Sequence, residues 1–365
     1  MIIKENQDLY HGFSPPPAAN LRGRAPGRPL FPFPSVPMKV TVFSTLAFER
    51  PFLEQANAGR HELLFLEASL NPITVALAQG SEAVCVFAPD DLSAPVLEQL
   101  RDHGVGFVVV RAAGTDNVDL PAAHRLGLRV ATVPEYSPYA IAEHAVALML
   151  ALNRRLRQAD EQLRRYDFRL DNLIGFDLHG KTVGIVGCGR IGGVVAGILH
   201  GFGCRLLGYD VQPNVALTRK HNLTYVSLEQ LCAEADILTI HAPLNEHTRH
   251  LLDAAALARL KPGAMLINTG RGAVLDTEAA LAALKNGQLG YLGLDVYERE
   301  NGLFFEDHSQ QKPADALFEQ LLAMPNVIIT GHQGFLTQEA LTNISDTTMH
   351  SLNCWEQGKV SPTEL

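Results

Sequence analysis

The sequence predicts an α/β protein made of two doubly wound parallel-sheet domains. Three observations carry that reading. At 365 residues the chain exceeds one ordinary domain, strand-like runs alternate with helical ones along most of it, and a glycine-rich turn joins a strand to a helix in its second half.

Residues 1–37 hold eight of the 21 prolines and show neither helical nor strand periodicity, so they are expected to be a disordered leader outside the fold. Arg22, Arg24 and Arg28 lie there, but on no amphipathic helix and beside no apolar core of a targeting signal. From Met38 onward the first alternating set predicts strands over 38–44, 62–66, 83–87, 106–110 and 128–133. A helix over 94–103 ends at Gly104, where a helix stop belongs. One long helix is expected over 138–166. Its middle, 140–151, is apolar on nearly every face, which predicts burial between domains or against a second copy, hence a homodimer or homotetramer. The second set then predicts six strands, near 182–187, 205–209, 236–240, 264–268, 290–294 and 327–330.

Composition excludes several functions. Acidic residues outnumber basic ones by 39 to 30, a formal charge of −9, which argues against a general nucleic-acid surface. The longest apolar run, Ala145 to Leu152, is far shorter than the roughly 20 residues that a membrane-spanning helix needs. The five cysteines (Cys85, Cys188, Cys204, Cys232 and Cys354) form no CxxC pair. They read as reduced core thiols of a soluble cytoplasmic protein, with no metal site.

Residues 181–192 run from an apolar strand through Gly187-Cys-Gly189-Arg-Ile-Gly192 into a helix over 191–202. A lone Gly-x-Gly-x-x-Gly is weak, but the strand–turn–helix frame strengthens it. Gly187 permits the tight turn, Gly189 lets the backbone approach a pyrophosphate, and Gly192 lets helix and strand pack closely. The helix N-terminus offers free N–H groups to phosphate. Asp210 ends the next strand 18 residues beyond Gly192, where a carboxylate accepts hydrogen bonds from a ribose and repels a 2′-phosphate. NAD is therefore expected rather than NADP.

Ligands of such sheets collect beyond the carboxyl ends of the strands. Three reactive residue types follow three predicted strands there: Arg271, Glu300 and His332. A guanidinium can hold a carboxylate by two hydrogen bonds and polarise a keto oxygen. A histidine can donate a proton as hydride arrives, and a carboxylate beside it orients the ring and favours the imidazolium. Taken singly each has a structural reading: Arg271 as a local ion pair, Glu300 as solvated loop. With 14 histidines in the chain, His144 and His241 are read as structural.

Several ordered blocks resemble the D-isomer-specific 2-hydroxyacid dehydrogenase family, and within it the lactate enzymes. They are Arg111-Ala-Ala-Gly-Thr-Asp-Asn-Val-Asp-Leu120, Val133-Pro-Glu-Tyr-Ser-Pro138, Ala142-Glu-His-Ala-Val-Ala-Leu148, the glycine turn, Asn268-Thr-Gly-Arg-Gly272, Leu294-Asp-Val-Tyr-Glu298 and Thr330-Gly-His-Gln-Gly-Phe-Leu-Thr337. The resemblance spans Met38 to about Leu365. It implies a Rossmann-type cofactor domain over 137–334, inserted into a flavodoxin-like catalytic domain over 38–136 that 335–365 completes. It implies NAD-dependent reduction of pyruvate to D-lactate, with Arg271 binding substrate, His332 donating the proton and Glu300 orienting it.

The family match also implies that Asp295 contacts the nicotinamide carboxamide, and that Arg190 and Ile191 belong to the diphosphate turn. Ala242 and Pro243 match the loop beside the adenosine, while Thr248, Thr269 and Gly270 match further cofactor contacts. Ala113 and Gly114 match backbone donors to the substrate carboxylate, and Tyr136 a pocket tyrosine. The run 303–307 and the pair Phe335 and Leu336 resemble the lactate enzymes and would narrow the pocket around a methyl group. Hydroxyisocaproate, glyoxylate and phenylpyruvate reductases stay open as alternatives, as does an NAD-sensing binding protein like the family's corepressors. A regulatory module of the phosphoglycerate type has no room in the 33 residues after His332.

Overall fold

The structure, a computed structural model, describes residues 37–365, so apart from Pro37 the expected leader lies outside the described residues. Strands β1 (Lys39–Val42), β2 (Glu62–Phe65), β3 (Ala83–Val86), β4 (Phe107–Val110) and β5 (Arg129–Thr132) form one sheet in the order β2-β1-β3-β4-β5. Every pairing is parallel. Both faces of such a sheet are covered by helices, and accordingly all four residues of β3 are buried. The order is that of flavodoxin-like folds.

The second sheet holds β6 (Thr182–Val186), β7 (Arg205–Tyr209), β8 (Thr224–Tyr225), β9 (Ile237–Ile240), β10 (Ala264–Asn268), β11 (Leu289–Leu294) and β12 (Val327–Ile329). Their order is β12-β11-β10-β9-β6-β7-β8, again all parallel. The chain reverses direction across the sheet between β6 and β9, and the glycine turn follows β6 at this switch point, where doubly wound sheets bind dinucleotides. All eleven expected strands are present within two residues of their predicted ends. The seventh strand of this sheet, β8, was not expected, because two residues carry no period.

The single long helix is also corrected. The chain forms Pro138–Asn153 and then Leu156–Leu163, with Arg155 between them at φ 48. The break coincides with a long-range contact. Buried Asn153 donates through Nδ2 to the Phe176 carbonyl at 2.6 Å and accepts from the Phe176 N–H at 2.7 Å, docking the returning segment against the end of the first helix. The apolar middle is buried, but not between domains or against a second copy: it packs inside the second lobe's own core, against β6, β10 and the helix Arg190–Gly201. The Leu156–Leu163 helix buries none of its residues.

The last helix, Gln338–Glu356, returns to the first sheet. Trp355 is fully buried there and stacks on Phe107 with centroids 5.0 Å apart. Burial of a side chain this large stabilises by roughly 2–3 kcal/mol. The chain end follows: Glu364 accepts twice from Arg129 at 2.8 Å, and the Leu365 N–H donates to Val130 at 2.9 Å. Among the described residues no helix is long and apolar enough to cross a membrane.

Candidate active site

The glycine turn has the geometry its sequence requires. Gly187 takes φ +86, and a Cβ there would meet the Ala242 backbone nitrogen at 2.6 Å. A Cβ on Gly192 would meet the Gly187 carbonyl oxygen at 2.0 Å, so only glycine lets the helix start this close to the strand. Beside Gly189, at the N-cap of the Arg190–Gly201 helix, there is open space. Asp210 follows β7 and braces the turn: Oδ2 accepts from the Cys188 N–H at 2.6 Å, and Oδ1 from the Gln212 N–H at 2.9 Å.

A cavity of about 270 Å³ opens over this turn. Gly189, Arg190, Ile191 and His241 line one side; Ala113 and Tyr136, from the first lobe, line the other. Arg190 spans the cleft to Glu135. Thr269 Oγ1, beyond β10, is buried without a protein partner, as a group awaiting a bound polar ligand would be. Open space at the helix start, a carboxylate after β7 and this unmatched hydroxyl together fit a dinucleotide. Ala242 and Gly270 close the same region, with a Gly270 Cβ position 3.3 Å from the Ala242 carbonyl. Thr248 differs: its hydroxyl donates to the Pro243 carbonyl at 2.7 Å, committed to its own loop.

His332 and Glu300 meet as expected. Nδ1 of His332 lies 2.9 Å from Glu300 Oε1, and Glu300 Oε2 accepts the Tyr297 N–H at 3.0 Å. The carboxylate thus holds the Nδ1 proton and leaves Nε2 as the ring's other working atom. His332 itself sits at φ 53, a left-handed conformation that costs a non-glycine residue roughly 1 kcal/mol. Such strain clusters at functional sites.

Arg271 reaches across the cleft. Nε donates to Asp116 Oδ2 at 3.0 Å and Nη1 to the Gly270 carbonyl at 3.0 Å, while Nη2 lies against Gly114, where a Cβ would stand 2.0 Å away. The loop carrying Ala113, Gly114 and Asp116 starts at Arg111, which is 1% exposed. Its guanidinium pairs with Glu49 at 2.8 Å and donates to the carbonyls of Phe43, Ser44 and Cys85, tying the ends of β1, β3 and β4 together. Sequence reasoning missed Asp116, although it stands two residues beyond Gly114 in the same block.

An aromatic wall completes the site. Phe87 lies 5.2 Å from Phe305 and 6.0 Å from Phe335, Tyr136 lies 6.4 Å from Phe335, and Phe305 lies 5.8 Å from the His332 ring. Burial pushes the Tyr136 hydroxyl above its ordinary range despite the nearby Arg271 charge, so it stays neutral. Phe87 was missed by sequence reasoning, because a phenylalanine ending a core strand looks like any other core residue. Leu336 is largely exposed and stands outside this wall.

Asp295 is 2% exposed, and its oxygens are occupied by protein donors. Thr330 Oγ1 donates to Oδ1 at 2.6 Å, Gln333 N–H to Oδ1 at 2.9 Å and Gly334 N–H to Oδ2 at 2.7 Å. Burial raises its pKa, but the hydrogen bonds from His144, Thr330 and Gly334 outweigh that and hold it below the ordinary carboxylate range. The resemblance had pointed to a cofactor contact and gave no hint of this clamp.

A Rossmann-type sheet facing a second α/β lobe, with a histidine–carboxylate pair and an arginine in the cleft between, defines a nicotinamide-dependent oxidoreductase of small anionic substrates. The family model described as D-isomer specific 2-hydroxyacid dehydrogenase, NAD binding domain, matches residues 146–334. The chain belongs to this family of NAD-dependent dehydrogenases. It is similar to a D-lactate dehydrogenase of Escherichia coli, 47% identical over 329 residues, covering 90% of this chain and 100% of that one. The apo structure of D-lactate dehydrogenase from Escherichia coli superimposes with a TM-score of 0.82 at 45% identity, covering 90% of this chain and 100% of that one. A structure of the pyruvate reductase of Chlamydomonas reinhardtii superimposes with a TM-score of 0.85 at 40% identity, covering 90% of this chain and 99% of that one.

Proposed function

We propose that this enzyme reduces pyruvate to D-lactate. The observation that carries the reading is the His332–Glu300 pair at 2.9 Å, beside a wall of four aromatic rings that runs from Phe305 at the His332 ring to Tyr136, which neighbours Arg271. Relatives named for lactate and pyruvate support it.

A nicotinamide cofactor held in this site would supply the hydride that the keto carbon receives. Arg271 pairs with the substrate carboxylate, helped by the backbone at Ala113 and Gly114. His332 gives its Nε2 proton to the keto oxygen as the hydroxyl forms and is left neutral, its remaining proton on Nδ1 still donated to Glu300. Glu300 stays ionised and keeps the ring aimed. Phe87, Tyr136, Phe305 and Phe335 exclude water and leave little room beyond a methyl group. In this reading Gly187, Gly189, Arg190, Ile191 and Gly192 hold the diphosphate, and Asp210 the ribose. Ala242, Pro243, Thr269 and Gly270 complete the cofactor site, and Thr248 and Asp295, held by their own protein partners, shape it from behind.

Residues 38–136 with 335–365 then act as the catalytic domain and 137–334 as the NAD domain. The protein works as a homo-oligomer, because Leu156, Leu163, Phe168, Leu170 and Ile174 are each more than half exposed in one contiguous stretch. Five free thiols suit a reducing, cytoplasmic compartment.

The test is kcat/KM with NADH over pyruvate, 2-ketobutyrate, 2-ketoisocaproate and glyoxylate, with the product resolved by chiral chromatography. Pyruvate should lead and the product should be the D-isomer. A bulky keto acid preferred over pyruvate would overturn the substrate assignment.

A further inference from the structure

The helix Pro138–Asn153 begins where the chain leaves the first lobe, and it carries His144 to the back of the site. His144 Nε2 lies 3.0 Å from Thr330 Oγ1 and 3.2 Å from Asp295 Oδ1. Thr330 uses its one hydroxyl proton on Asp295, at 2.6 Å, so it can only accept from His144. The imidazole therefore carries its proton on Nε2. The result is a chain of donors from His144 through Thr330 to a carboxylate buried to 2% exposure.

That carboxylate holds the loop bearing His332. Its two oxygens take the consecutive N–H groups of Gln333 and Gly334, and the Asp295 carbonyl takes the His332 N–H at 2.8 Å. Successive backbone N–H groups converging on one anion form a nest, which a left-handed residue such as His332 at φ 53 helps to shape. Gly334 fits because a Cβ there would meet Asp295 Oδ2 at 2.9 Å. The ring of His332 points from this loop to Glu300, so any rotation of the Asp295 carboxylate re-aims the ring.

We propose that His144 is a positioning residue: it fixes the Asp295 carboxylate, which fixes 332–334 and so the direction of the His332 ring. The inference rests on the reading of His332 as proton donor. His144 touches neither reacting atom; it acts through Asp295 and Thr330, from a place beside Gly334. A small misplacement of a reacting group lowers turnover steeply while leaving binding nearly intact.

The experiment uses the full chain with His144→Ala, His144→Gln, Thr330→Val and the His144→Ala/Thr330→Val pair, with His332→Ala as control. Kinetics with pyruvate and NADH, the thermal midpoint and the imidazole proton resonances are measured. In His144→Ala kcat should fall by about 10- to 50-fold, with KM for pyruvate changed less than about threefold. In His144→Gln most of kcat should return, since the amide can donate to the same oxygens. Thr330→Val should lose a similar factor, and the double variant should lose less than the product of the two singles. The downfield Nδ1 proton of His332, held by Glu300, should shift or broaden in His144→Ala and recover in His144→Gln. If His144→Ala fails to fold, His144→Gln and Thr330→Val carry the same test through kcat and that resonance. A lowered thermal midpoint with kcat and the resonance unchanged would overturn the proposal, leaving His144 a packing residue. Full turnover in His332→Ala would instead overturn the proton-donor reading itself.

Discussion

Glu300 joins two elements with one carboxylate: Oε1 meets His332 Nδ1 at 2.9 Å, and Oε2 takes the Tyr297 N–H at 3.0 Å. His332→Ala should lower kcat by about two to four orders of magnitude with little change in NADH affinity. Glu300→Gln can still accept the Nδ1 proton but lacks the charge, so it should lose only about 10- to 100-fold. Steady-state kinetics and NADH fluorescence titration check both; equal losses in the two variants would mean that Glu300 does more than orient the ring.

The close approach of Arg271 to Gly114 sets a second expectation. Gly114→Ala would put a Cβ 2.0 Å from Nη2, and the arginine tip, being flexible, would move before the backbone did. KM for pyruvate should rise by about tenfold or more, with NADH binding and folding intact. Arg271→Lys should raise it further, because an ammonium offers no planar fork. Unchanged KM in both would detach this pair from the substrate.

Asp210→Ser together with a basic residue at Gln212 should shift preference toward NADPH. The change removes a ribose acceptor and the charge that repels a 2′-phosphate. It also removes the brace on the Cys188 N–H, so a modest fall in thermal midpoint should accompany the switch. The ratio of kcat/KM for the two cofactors is the measurement, and an unmoved ratio would exclude Asp210 as the ribose ligand.

His241 gives a prediction about acid stability. Burial pushes its pKa down from 6.5 to about 3, and its Nδ1 is shut off from solvent without a partner. The unfolded chain then binds a proton between those two values that the folded chain refuses. Stability is full above pH 6.5 and falls as pH drops toward 3, by up to about 1.4 kcal/mol per pH unit from this group. His241→Gln should flatten that slope in denaturant titrations at several pH values, whatever it does to stability at neutral pH. A slope identical to the parent's would mean that the ring takes up its proton without unfolding.

Phe168→Glu or Ile174→Glu should yield monomers. Both side chains are largely exposed, 69% and 82%, beside a helix with no buried residue, so neither change should unsettle the fold itself. Light scattering coupled to size exclusion measures the mass; an unchanged oligomer, or a parent that is already monomeric, would move the interface elsewhere.

All strands but the two-residue β8 were legible, because a parallel strand is a short apolar run bounded by turn residues. Residues 138–166 read as one helix because their composition stays helical throughout. The break comes from Asn153 bonding to Phe176, a partner 23 residues away that no local period can reveal. The same limit shaped the site. Arg271, Glu300 and His332 stood out as reactive types after strand ends, and Gly187 to Gly192 as a spaced motif. Asp116, Phe87 and His144 gained their meaning from contacts across the cleft or through a buried carboxylate, which only the tertiary structure brings together.

The docking of the chain end on β5 has a consequence for synthesis. Val130 and Thr132 hydrogen-bond to Leu365 and Thr363 on either side of the Ala131–Glu364 bridge, and Trp355 fills the core beneath β4. Everything between, including the whole second sheet, leaves the ribosome first. The second sheet can close early from neighbouring segments, whereas the first waits with an open strand edge and a vacant tryptophan socket until residues 355–365 have been made. A nascent chain truncated before Trp355 should therefore carry one protease-resistant lobe and one that is still digestible.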